Sequence, residues 1–112
     1  MILNNMAKRQ FTPINSVYRF ADKQNGFIRY LKEKYTDYSV YRTIGYIQSS
    51  LVSEYVKSIT GESIIYDVKD VELLRSIVNK IRNTEKDAKL HKVYSSAVNR
   101  YINFLSVSNV AR

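Results

Sequence analysis

The chain has no cysteine and no tryptophan, a single proline, three glycines and one histidine among its 112 residues. Each scarcity closes a door. Without cysteine there is no disulfide scaffold, no thiolate zinc site and no thiol nucleophile. The one proline, at position 13, breaks local structure at Thr12-Pro13. Gly26, Gly45 and Gly61 stand alone, so no glycine-rich loop is available to cradle a nucleotide phosphate. No apolar run approaches the roughly 18 residues that read as a membrane span. The first residues, MILNNMAKRQF, lack the basic-then-apolar order of a secretion signal, and the expected location is cytoplasmic.

Acidic residues are also few: 10 against 18 basic ones, for a net charge of +8. The excess lies at the two ends of the chain. Residues 1–34 carry Lys8, Arg9, Arg19, Lys23, Arg29, Lys32 and Lys34 against Asp22 and Glu33. Residues 91–112 carry Lys92, Arg100 and Arg112 and no acid. If the ends meet in the fold they form one basic face, which draws polyanions and releases counterions from nucleic acid. The plain alternative is a solubilising surface.

Hydrophobic residues make up 45% of the chain, enough for one buried core in a single domain. Their spacing predicts four main helices, possibly with a fifth. Residues 22–35 follow Asp22 as a cap, with Phe27, Tyr30 and Leu31 in helical register. Residues 40–59 form the longest helix, with Ser39 as cap, a stripe of Val40, Ile44, Ile47, Leu51, Tyr55 and Ile59, and small residues at 45, 49, 50 and 53. Gly61 ends it as a left-handed C-cap. Residues 62–68 read as an extended connector whose side chains anchor in the core. Asp70 caps a helix over 70–83, with Val71, Leu74, Ile77, Val78 and Ile81 facing inward. Residues 83–90, NTEKDAKL, read as a mobile polar loop. The last helix covers 91–105, where Tyr94, Ala97, Val98, Tyr101, Ile102 and Leu105 recur at three- and four-residue steps. Residues 1–21 are expected to be a basic arm and 106–112 a tail or linker, flanking a helical domain over 22–105.

The closing stretch YSSAVNRYINFL, residues 94–105, and the connector Ile65-Tyr66-Asp67-Val68 carry a resemblance. Together with the order of helices over 22–105, they resemble the SAM-like core-binding domain of tyrosine recombinases, the phage-integrase type. A similar module precedes some restriction endonuclease domains. The resemblance implies an all-α SAM-like orthogonal bundle of four to five helices that clamps duplex DNA. In that family the catalytic arginines, histidine and nucleophilic tyrosine belong to a separate following domain, so it implies DNA binding without strand cleavage.

The residues themselves offer little catalytic chemistry. His91 has no companions for metal binding or proton transfer, and a structural or solvent role fits it. Asp67, Asp70 and Glu72 are close enough in sequence for a metal nuclease, but turn and cap roles explain them more simply. Ten tyrosines are many for this length. Tyr55, Tyr94 and Tyr101 fall on apolar stripes and are expected in the core. Tyr35, Tyr38, Tyr41 and Tyr46 cluster around one turn and cannot all face inward. They are placed to stack on bases or meet phosphates, and equally to anchor a protein partner. A tyrosine nucleophile would need converging cations and a general acid that the spacing does not supply.

The expected DNA contacts are Arg42 near the start of the long helix and Lys92, Ser96, Asn99 and Arg100 on the polar side of the last one. Lys8, Arg9, Arg29, Lys32 and Lys34 add nonspecific charge. No catalytic residue, metal or small-molecule cofactor is expected. The expected partner is double-stranded DNA, with a catalytic domain or protein partner outside this chain as a further one. The competing expectation is a protein-interaction module, such as a mobile-element accessory protein, docking through exposed tyrosines.

Overall fold

The computed structural model describes the backbone over residues 15–111 and side chains over residues 23–107; Lys8, Arg9 and most of the expected arm lie outside them. Among the described residues the fold is all-α. Six helices, α1 (Asn15–Lys34), α2 (Asp37–Ile47), α3 (Ser50–Thr60), α4 (Val71–Arg82), α5 (Glu85–Lys89) and α6 (Val93–Ala111), are joined by short turns. One turn of 3₁₀ helix, Ile65–Asp67, sits between α3 and α4.

α6 packs most extensively against α4 and α2, and α1 lies across α2, α6 and the 3₁₀ turn. Phe27 and Leu31 of α1, Val40 and Ile47 of α2, Val52 and Val56 of α3, and Leu74, Ile77, Val78 and Ile81 of α4 enclose the inner face of α6. All six apolar positions expected on that face (Tyr94, Ala97, Val98, Tyr101, Ile102 and Leu105) are buried. Tyr101 is at the centre, its ring edge-on to Phe27 at 5.1 Å and to Tyr66 at 5.4 Å. Gly26 brings α1 close to α6: a Cβ there would stand 3.1 Å from the Phe104 ring.

The structure departs from the sequence reading in five places. First, α1 begins at Asn15, so Asp22 lies within the helix rather than capping it. No proline separates residues 15–21 from the rest of the helix. Second, the long helix is broken. Thr36, not Ser39, caps α2, its Oγ1 accepting from the Ser39 N–H at 3.2 Å. Ser49 then caps α3, accepting from the Val52 N–H at 3.4 Å while its own hydroxyl donates to the Tyr46 carbonyl at 2.6 Å. A serine that satisfies backbone groups on both sides favours a cap over a helix interior. The break resets the phase: Val52 and Val56 are fully buried, whereas Leu51, Tyr55 and Ile59 are only half-buried.

Third, the connector is not extended throughout; it winds one 3₁₀ turn that buries Ile65 and Tyr66, with Val68 just beyond. Fourth, NTEKDAKL is not a loop. Thr84 caps α5, accepting from the Asp87 N–H at 3.2 Å. Fifth, α6 runs on to Ala111, because neither glycine nor proline follows Leu105. Two expected boundaries hold. Asp70 caps α4 by accepting from the Glu72 N–H at 2.9 Å. Gly61 closes α3 at φ +83°, a left-handed conformation that costs glycine nothing. No helix among the described residues is long and apolar enough to cross a membrane.

Candidate nucleic-acid interface on the α2–α6 face

α2 and α6 lie side by side, and their outer edges frame a groove of about 220 Å³ lined by Tyr38, Ser39, Arg42, Thr43, Tyr46, Val93, Ser96, Ala97 and Arg100. The helical repeat places 38/39, 42/43 and 46 along one edge and 93, 96/97 and 100 along the other. Arg42, Ser96 and Arg100, all expected contacts, are therefore brought together.

The two arginines are held differently. Arg100 is half-buried. Its Nη1 donates to Thr43 Oγ1 at 2.7 Å and to Ser39 Oγ at 3.2 Å, tying α6 to α2. Its guanidinium carbon lies 3.8 Å from the centroid of Tyr35, in the turn between α1 and α2. Arg42 is exposed. It donates to the Tyr38 hydroxyl at 3.3 Å and to the Tyr46 hydroxyl, with its guanidinium 5.5 Å and 5.2 Å from the two rings. Hydrogen bonds to Tyr46 and Tyr38 push the Arg42 pKa above its ordinary value.

No carboxylate lines this groove. The ion pairs among the described residues, Glu72–Arg75 at 2.7 Å and Glu85–Lys89 at 3.5 Å, belong to α4 and α5. A guanidinium has five N–H donors. Each arginine spends two on hydroxyls, leaving three that these hydrogen bonds do not use. Lys34, adjacent to Tyr35, extends the positive charge from the end of α1, with its Nζ 5.4 Å from the Tyr30 ring.

The other expected contacts are less concentrated. Arg29 and Lys32 are exposed on α1, Lys92 is exposed at the turn before α6, and Asn99 is half-buried on α6 outside the groove lining. Ser95, the neighbour of Ser96, is fully buried. Tyr35 and Tyr46 are half-buried, whereas Tyr38 and Tyr41 are 67% and 78% exposed.

Sequence reasoning missed Asp87. It is fully buried, and its carboxylate caps α6. Oδ1 accepts from the Tyr94 and Ser95 N–H groups at 3.0 and 3.2 Å, and Oδ2 accepts from the Ser95 hydroxyl at 2.7 Å. Its carbonyl accepts from the Lys92 N–H at 2.7 Å, closing a turn in which His91 and Lys92 adopt φ +61° and +63°. The available signal was an aspartate a few residues before a helix start. His91 is exposed in this turn, and no group of metal-ligating side chains forms among the described residues.

A scan of known protein families, a search of curated proteins and a search of solved structures each find no match to this chain. The α2–α6 face is therefore read from its own chemistry.

Proposed function

We propose that this domain binds double-stranded DNA without cutting it, anchoring phosphates at the α2–α6 face. The observation that carries this reading is the convergence of Arg42 and Arg100, from different helices, on one groove lined by hydroxyls and free of carboxylates. Arginines presented on rigid helices with unspent donors suit phosphate oxygens. The net charge of +8 supports it, as does the resemblance of the closing helix and the connector to the recombinase core-binding module. Lys34, with Arg29 and Lys32 on α1, supplies the surrounding charge. Ser96 adds a hydroxyl for a phosphate, with Asn99 further along α6 and Lys92 in the turn before it.

The exposure of Tyr38 and Tyr41 favours a second reading, a protein partner docked on two exposed aromatic anchors. Salt separates the two. Phosphate binding weakens log-linearly with salt concentration, with a slope set by the number of phosphates neutralised. A tyrosine-anchored protein interface does so far less. Fluorescence anisotropy with a random duplex of roughly 25 base pairs, long enough for several phosphate contacts, tests the first directly.

A further inference from the structure

Beside the arginine groove lies a second recess, open and larger, of about 720 Å³. The two share Tyr38, Arg42 and Tyr46 and so form one continuous surface. Their chemistries differ. The groove has the guanidinium and hydroxyl groups. The recess has four tyrosines, with Tyr41 and Tyr94 joining Tyr38 and Tyr46. We propose that together they form a bipartite subsite for one unpaired nucleotide, with phosphate in the groove and base in the recess. The proposal rests on the DNA-binding reading and narrows it: the domain prefers overhangs and unpaired bases to fully paired duplex.

Three observations place the base. Gly45 lines the recess without a side chain, and a Cβ there would meet no heavy atom within 4 Å. The Tyr41 ring is 78% exposed on the rim and offers its face for stacking. The wall is rigid: Tyr94 is buried and meets Tyr46 edge-on at 5.1 Å. Lys86 of α5, with Nζ 5.8 Å from the Tyr94 ring, adds positive charge nearby. Arg42 stands at the boundary and can meet the phosphate while its tyrosine partners face the base.

Intact duplex cannot use such a recess, since its bases are stacked inside and it presents backbone outward. Extracting a base from duplex is costly, and least so where the base is mismatched or already single-stranded. Because every base has a π-face, the expected preference is for unpaired structure rather than for sequence.

The test compares anisotropy titrations of a blunt duplex with the same duplex carrying a three-nucleotide single-stranded overhang. The overhang is expected to bind roughly tenfold more tightly, the effect of one stacked base. In Gly45→Leu, which fills the recess, and in Tyr41→Ala, that preference should vanish while blunt-duplex affinity stays unchanged. Thermal melts of both variants report whether they are folded. Equal binding of the two DNAs by the wild type overturns the subsite and leaves duplex binding standing. A preference that survives Gly45→Leu also overturns it. Binding to neither DNA removes the duplex reading as well.

Discussion

The Arg100 guanidinium lies 3.8 Å from the centroid of the Tyr35 ring while one of its nitrogens bridges Ser39 and Thr43. One side chain on α6 thus holds the turn between α1 and α2 and the first two turns of α2. This gives Arg100 two roles, positioning the face and charging it. Arg100→Lys keeps the charge but loses the planar stack and the forked donor. It should lower stability by about 1 kcal/mol, the scale of one cation–π contact plus a hydrogen bond in a partly exposed setting. Arg100→Ala should do at least as much and weaken DNA binding further. Chemical denaturation and anisotropy on the same variants separate the two effects; a lysine variant indistinguishable from wild type in both would remove the positioning role.

Arg42 should behave differently. It is exposed and both its tyrosine partners are on its own helix, so Arg42→Ala should leave the melting temperature unchanged. DNA affinity should fall for all sequences alike, and the slope of log K against log salt should shrink by about one, the loss of a single phosphate contact. A loss confined to particular base sequences would instead make Arg42 a base-reading residue.

Asp87 is a stability determinant. It satisfies two N–H groups at the start of α6 and a buried serine hydroxyl. Asp87→Ala leaves these groups unpaired inside the protein and should cost about 2–3 kcal/mol. Asp87→Asn keeps an acceptor and should cost less. Urea unfolding distinguishes them; an alanine variant as stable as wild type would contradict the capping role.

Tyr101 points to a substitution that should do no harm. Its hydroxyl is buried without a hydrogen-bond partner, as is Oδ1 of Asp67. Burial, with smaller contributions from Tyr66 and Asp67, raises the Tyr101 pKa well above that of free tyrosine; burial does the same for Tyr66. A raised pKa means that the folded state favours the neutral phenol. Stability from this source is therefore intact below about pH 10, the unfolded value, and is lost as pH rises beyond it. Tyr101→Phe should be neutral or stabilising at pH 7 and should shift alkaline unfolding to higher pH. A marked destabilisation at pH 7 would reveal a partner for the hydroxyl.

Much of this architecture can be read from the sequence wherever one local rule acts alone. The inner face of α6, the Asp70 cap and the Gly61 terminus follow from periodicity and cap chemistry. The break at Gln48–Ser49 does not, because an apolar stripe continues through it at helical spacing. The competing preference of Ser49 for a cap appears once its bonds to Tyr46 and Val52 are seen. Residues 83–90 looked like a loop because they are polar, whereas Asp87 is polar in order to serve α6. In the site, Arg42, Ser96 and Arg100 were identified singly from charge and position. Their convergence depends on how α2 lies against α6, which no local pattern encodes. Arg29 and Lys32 remain dispersed on α1, as solvated helix residues are.

The most direct test of the DNA-binding account is the anisotropy titration of the wild-type protein with random duplex at several salt concentrations. The account predicts micromolar or tighter binding at low salt, weakening log-linearly as salt rises, with a slope that falls in Arg42→Ala. No binding at low salt, or binding indifferent to salt, would contradict phosphate anchoring and turn attention to a protein partner at Tyr38 and Tyr41.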